Sequence, residues 1–308
     1  MDILPPCVSI GLPVYNGERF LEEAISSILA QTYTDFELII SDNASIDRTQ
    51  EICEAYATKD RRIRYYRNVH NLGAAWNYNR TFELCQSKYF KWAAHDDLCA
   101  QEMLRLCVDV LDQNSEVVIC YFKSKIIDEH GNIVQDYPNG PNMLSERPNE
   151  RFVQYVSSVT GKWHPIFGLI RSNILKKTRL IGNYIGSDTC LLAELSLYGK
   201  FFQIPECLFL RRIHPGNMYM KRNMPEWLEF FDPKLAGKMA MPRWRMLFEN
   251  LVSIKNAPIN IYEKYSLFEY LARRIAYDIF RGNKHYTKEL RSALKHLLIK
   301  YCNLSVKN

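Results

Sequence analysis

The first hundred residues alternate short apolar runs with amphipathic stretches, the rhythm of strand–helix–strand units wound around a mostly parallel sheet. Val8 to Leu12 reads as a first strand. After a turn at Asn16-Gly17, the apolar positions Leu21, Ala24, Ile25, Ile28 and Leu29 recur at helical spacing, which predicts an amphipathic helix. Phe36 to Ile40 (FELII) is a second strand that runs into Ser41-Asp42-Asn43, and Ser45 or Asp47 is placed to cap a helix with Ile52, Cys53 and Tyr56 on its inner face. Ile63 to Tyr66 is a third strand. Asn71-Leu72-Gly73 breaks the chain before a helix over 74–84, and Tyr89 to Ala94 is a fourth strand ending at His95-Asp96-Asp97. Acidic residues thus stand at two strand C-termini, the edge of an open parallel sheet where loops and helix N-termini converge on ligands.

Further on, a helix over 101–112 and a strand over 117–127 continue the core. Residues 136–149, DYPNGPNMLSERPN, predict a long loop of the kind that acts as a lid. A strand at Ile166 to Ile170 and a helix at Cys190 to Leu197 follow, and FFQIPECLFLRRIH reads as two short strands with a proline corner. Beyond Asn217 the pattern is helical to the end. The organisation expected is one α/β catalytic domain over 1–215, its halves meeting near residue 100, with a helical C-terminal extension over 216–308.

Composition adds limits to this picture. Apolar residues make up 47% and charged residues 24% of the 308, the balance of an ordinary globular chain. The net charge of +6 comes without a basic stripe in the first two hundred residues, which speaks against nucleic acid as a partner. The excess gathers late, with Arg273, Arg274, Arg281, Lys284, Lys288, Arg291, Lys295 and Lys300 set among apolar residues. That segment suits the surface of an anionic membrane, although the same apolar pattern also suits core or homodimer packing. Nine cysteines are scattered without a CxxC pair, as expected of reduced core thiols. No basic stretch and long apolar run open the chain, and no window has the ~18 apolar residues a membrane span needs. The expectation is a cytoplasmic protein, with any membrane contact peripheral and on the inner face.

In order and spacing, VSIGLPVYNGERFLEEAISSILAQTY, FELIISDNASIDRT, NLGAAWNYN, FKWAAHDD, IGSDTCLLAEL and RRIHPGN resemble a family 2 glycosyltransferase of the nucleotide-diphospho-sugar transferase type. The similarity runs from Val8 to His214. It implies a GT-A, Rossmann-like fold, a nucleotide-sugar donor, a glycan or lipid-linked acceptor, and Mn2+ or Mg2+ at the diphosphate. The chemistry asks for the same parts, because a diphosphate leaving group needs a cation and the acceptor hydroxyl needs a base.

Carried onto this chain, the resemblance assigns the nucleotide pocket to Pro13, Tyr15, Asn16, Asp42, Asn71, Gly73, Asn77, His95 and Asp96. Asp42 would accept the N3–H of uracil, hence UDP; read alone, it is a turn or cap residue. The family's usual Asp-Asp-Gly-Ser-Thr-Asp appears as Asp42-Asn43-Ala44-Ser45-Ile46-Asp47. The metal falls to Asp96 and Asp97 with His214, Ala94 standing where the family has its first Asp; Asp97 reads equally as a helix N-cap. Asp188 aligns with the general base of an inverting displacement, Ser187 replacing a commoner Glu; read alone, it is an N-cap for the helix through Leu191 and Leu195. Trp163 lies in the acceptor region, and Arg211 or Arg212 could pair with phosphate oxygens. The role implied is surface-polysaccharide synthesis. A catalytically degenerate sugar-nucleotide-binding protein is the alternative, motivated by Asn43, Ala94 and Ser187. A dehydrogenase or nucleotidyltransferase suffers from the absence of GxGxxG and of a P-loop lysine.

Overall fold

The computed structural model describes residues 5–137, 140, 142–158, 165–217, 224–280 and 286–294. Four parallel strands form its first half: β1 (Val8–Val14), β2 (Phe36–Asp42), β3 (Ile63–Arg67) and β4 (Tyr89–Trp92), in the order β3-β2-β1-β4. Helices α1 (Leu21–Leu29), α2 (Thr49–Lys59) and α3 (Ala74–Glu83) connect them. Every residue of β1 and β2 is buried, as expected of strands covered on both faces. Along β1, Val8, Ile10, Leu12 and Val14 face one core with Leu21, Ile25 and Ile28 of α1. On the other face α3 lies so close to Gly11 that a Cβ there would come 2.4 Å from Thr81 Oγ1. Asp47, not Ser45, serves the start of α2, its Oδ1 accepting the Thr49 N–H at 3.0 Å.

The second half departs from the mostly parallel pattern. After β5 (Leu98–Cys99), α4 (Met103–Gln113), β6 (Val117–Ile127) and β7 (Ile133–Asp136) come α5 (Pro148–Ser158), β8 (Leu169–Arg171), α6 (Ser172–Leu175), α7 (Ser187–Ser196) and β9 (Lys200–Arg212). The sheet continues β4-β8-β6-β9-β5; β8 is antiparallel to β4 and β6, β7 to β6 and β5 to β9, while β6 and β9 run parallel. The predicted pair of strands near the C-terminal end of the domain is one strand, β9. Its register slips where Ile204 faces Phe122 and Cys207 faces Lys123, because Pro205 has no N–H to give the ladder. The predicted loop over 136–149 is pinned midway: Met143 pairs with Phe201 and is wholly buried.

Helices α8 (Met224–Phe231), α9 (Pro242–Asn256) and α10 (Ile261–Phe280) follow. Their Phe231, Leu247, Ile254, Leu267 and Leu271 share one hydrophobic cluster with Phe90, Trp92, Phe152 and Leu191. The C-terminal helices therefore complete the second face of the sheet. All eight cysteines among the described residues are unpaired.

Candidate active site

The C-terminal ends of β1, β2 and β4 meet at one edge of the sheet, and β9 delivers His214 there. The junction is tied by Arg212, which is entirely buried. Its backbone N–H donates to Asp97 Oδ1 at 2.8 Å and its Nε to the Asp96 carbonyl at 3.0 Å. Nη2 pairs with Glu23 of α1 at 2.7 Å, and the guanidinium lies over the Phe20 ring at 4.5 Å. Arg212 is thus committed to the protein itself, which excludes it from the phosphate role read in the sequence. Arg211 donates to Tyr137 Oη at 3.2 Å.

His214 Nε2 and Asp96 Oδ2 lie 3.1 Å apart, and Asn217 Nδ2 donates to the same oxygen at 3.2 Å. Adjacent ligands of an octahedral cation with bonds of roughly 2.0–2.1 Å stand roughly 3 Å apart, so this pair fits one edge of such a shell. Burial alone would raise the Asp96 pKa, but the positive field of His95 and the His214 hydrogen bond outweigh it and hold the carboxylate below its ordinary range. Asp97 is driven the other way: burial and the charge of Asp96 push it well above that range, against the Arg212 N–H, Arg211 and Lys91. Its placement against Arg212 makes Asp97 a brace for the turn. Nor does it cap α4, whose N-cap position is Glu102. Among the described residues no group of three or more His, Cys, Asp and Glu is gathered as a metal site.

Asp188 sits in the first turn of α7, where Gly186 occupies the cap position at φ 84° and no side-chain cap bond forms. Asp188 is exposed, and desolvation by the protein around it raises its pKa against hydrogen bonds from the Thr189 and Asp188 N–H groups and the charge of Arg211. Burial first, and then the negative charges of Asp96, Asp97 and Asp188, push the Tyr78 phenol above the ordinary tyrosine range.

The residues expected to line the nucleotide pocket divide into open and committed groups. Tyr15 is 43% exposed at the lip. Asn16, at φ 52°, bridges two loops through Ser45 Oγ, which accepts its N–H, and Ile46, whose N–H its Oδ1 accepts. Pro13 is buried in β1, and His95 packs over Gly17. Asp42 is wholly buried, and its oxygens accept from the Ser45 N–H at 2.8 Å and Tyr65 Oη at 2.9 Å, with Arg67 at 3.3 Å. Asn77 is likewise spent: Nδ2 donates to the Ser41 carbonyl and Oδ1 accepts from Ser41 Oγ. Asn71 Oδ1 accepts from Asn43 Nδ2 and the Gly73 N–H, and Gly73, at φ 87°, lies against the Phe231 carbonyl of α8. These residues shape the end of β2 from within. Trp163 lies outside the described residues.

Tyr78, Phe20, Asn217 and Arg212 complete the site without having been singled out for these roles in the sequence. Tyr78 and Asn217 fall inside the recognised segments, at NLGAAWNYN and RRIHPGN. Phe20, held between Arg212 and the His214 ring at 4.7 Å, carries no signal of its own, since a single aromatic ahead of a helix reads as core.

The architecture is similar to that of GT-A glycosyltransferases. S. aureus TarS 1-349 in complex with UDP-GlcNAc superposes with a TM-score of 0.66 at 17% identity, over 92% of this chain and 79% of that one. The mannosyltransferase PcManGT from Pyrobaculum calidifontis, in complex with GDP-Man and Mn2+, gives 0.52 at 15% identity over 96% and 90%. The glycosyl transferase family 2 profile matches residues 9–178, more than half of the chain, and the chain belongs to that family. An uncharacterized glycosyltransferase of Methanocaldococcus jannaschii is 29% identical over 222 residues, 70% of this chain and 74% of its own length. One from Rickettsia typhi is 35% identical over 66% and 61%. Escherichia coli chondroitin synthase is 26% identical over 70% of this chain, which spans 30% of that protein.

Proposed function

We propose that this glycosyltransferase moves a sugar from a nucleotide-diphosphate donor, UDP-linked, to a hydroxyl of a glycan or lipid-linked acceptor with inversion at C1, in surface-polysaccharide synthesis on the cytoplasmic side of the membrane. The observation that carries this reading is the Asp96 carboxylate and the His214 ring held 3.1 Å apart at the C-terminal edge of the sheet. Asp188 takes the proton of the acceptor hydroxyl as that oxygen bonds to C1; the bond from C1 to the phosphate oxygen breaks, and the nucleoside diphosphate leaves. Its raised pKa suits a base that must gain a proton in the transition state. Mn2+ or Mg2+, when bound at Asp96 and His214, would neutralise the charge gathering on the leaving diphosphate. Tyr15 offers an aromatic face at the pocket mouth. The UDP-GlcNAc complex of the similar TarS and the kinship with a chondroitin synthase support the donor and the pathway.

The degenerate reading draws on one observation: only two donors remain for a cation once Asp97 is turned to Arg212. It requires sugar-nucleotide binding without turnover. The test is product formation and diphosphate release with UDP-, GDP-, CMP- and dTDP-sugars, with and without Mn2+. Metal-dependent release from one donor supports the enzyme, and binding with no release overturns it.

A further inference from the structure

The net charge of +6 resides entirely in residues 281–308, which hold seven basic residues and one acidic; residues 1–280 carry thirty-three of each sign. The helix that leads into this segment is α10. It buries Leu267 and Leu271 but shows solvent Ile261, Tyr262, Tyr265, Phe268, Tyr277 and Phe280, from 36% to 85% exposed. The helical stretch at 286–294 adds Leu290 and Leu294 at 46% and 53%. It is fixed beside α9, since the Trp244 indole packs on Tyr286 at 5.2 Å and donates to its carbonyl at 3.1 Å. Eight of the twenty exposed large apolar side chains among the described residues thus fall within 261–294. That clustering is more than the scatter of single exposed residues normal on a monomer.

We propose that α10 and the stretch after it form a docking surface for an anionic lipid bilayer, with the aromatic side chains at headgroup depth and the lysines and arginines over acidic headgroups. Tyrosine, apolar in body and polar at its tip, suits that depth. No helix among the described residues is long and apolar enough to cross a membrane, so the contact lies in the plane of the surface. The charged residues of α10 itself cancel, Glu263, Glu269 and Asp278 against Lys264, Arg273 and Arg274; the basic excess lies in the sequence that follows, with Lys288 and Arg291 exposed among its described residues. The exposed Lys288 and Arg291, set beside the exposed Leu290 and Leu294, favour an anionic occupant over a second copy that carries the same charges. This surface is independent of the transfer reaction, so either proposal stands if the other fails.

The test is co-sedimentation of the full chain with vesicles of phosphatidylcholine alone and of equal parts phosphatidylcholine and phosphatidylglycerol. The expected result is binding to the anionic vesicles about tenfold or more above the neutral ones, falling steeply at high ionic strength. Tyr262→Ser/Tyr265→Ser/Phe280→Ser and, separately, Lys288→Glu/Arg291→Glu should each lose most of it. Their melting temperatures should be unchanged, since the substituted side chains are exposed. Equal binding to both vesicles, or to neither, overturns the proposal. So does a dimer in light scattering that the aromatic variant dissolves, which would assign the face to a second copy.

Discussion

Arg212 donates its Nε to the Asp96 carbonyl at 3.0 Å and its backbone N–H to Asp97 Oδ1 at 2.8 Å. One buried arginine therefore fixes the turn that presents the Asp96 carboxylate to His214. The arrangement also ties this turn to α1 through Glu23 and to the Phe20 ring.

Replacing Arg212 by lysine keeps the charge but removes the planar fork and the stacking on Phe20. Arg212→Lys should weaken Mn2+ binding, read by calorimetry with the nucleotide present, more than it weakens nucleotide binding without metal. Arg212→Ala should in addition cost about 2–4 kcal/mol in urea unfolding, from lost hydrogen bonds and the cavity left behind.

Because desolvation by the protein around it raises the Asp188 pKa above its ordinary 3.8, the folded protein holds this proton more tightly than the unfolded chain does. Its contribution to stability is full below that ordinary value and is lost as pH rises through the folded pKa. Asp188→Asn should therefore melt higher than wild type at neutral pH, with the gain vanishing in acid, while turnover falls about 10²–10⁴-fold. In the wild type, the acid limb of kcat should lie above the normal aspartate range. Unchanged turnover in Asp188→Asn would remove it as the base.

Ala44 holds φ at 63°, a backbone region that costs a side chain roughly 1–2 kcal/mol. Glycine relieves that cost but gives back part of it in unfolded-state entropy. Ala44→Gly should raise stability by about 0.5–1 kcal/mol in calorimetry, with donor binding unaltered.

Gly186, at φ 84°, lies against α9, where an added Cβ would come 2.6 Å from Met246 Sδ. Gly186→Ala should cost about 1–3 kcal/mol and lower kcat by displacing the Asp188 turn. Met246→Ala in the same chain should recover the part due to the clash and leave the part due to φ. Full recovery would mean that the backbone there is unstrained.

The parallel half of the fold was legible because strands buried on both faces are apolar throughout and their helices carry one clear apolar stripe, as in β1 and α1. In the antiparallel half β6 and α4 were legible and β8 was read a few residues early, whereas the short β5 and β7 were missed and β9 reads as two pieces around Pro205. The site divided in the same way. Asp96, His214 and Asp188 were picked out by the resemblance of the segments that hold them, and the structure brings Asp96 and His214 within 3.1 Å of each other. What hydrogen bonds decide was hidden: Asp42 accepts from Tyr65 and the Ser45 N–H, and Asn77 is bonded to Ser41, which the sequence does not tell. Arg212 looks like a free cation until the fold places Phe20 and Glu23 around it, from a segment far away in sequence. Ala44 reads as a lost glycine, and only the turn shows what the loss costs.

The most direct test of the central claim is calorimetric titration of the purified chain with UDP, in Mn2+ and in EDTA, beside Asp96→Ala and His214→Ala. The account predicts binding at least about tenfold tighter in Mn2+, with that gain abolished in both variants and the metal-free affinity retained. Equal affinity with and without Mn2+, or a full metal effect in either variant, would contradict it.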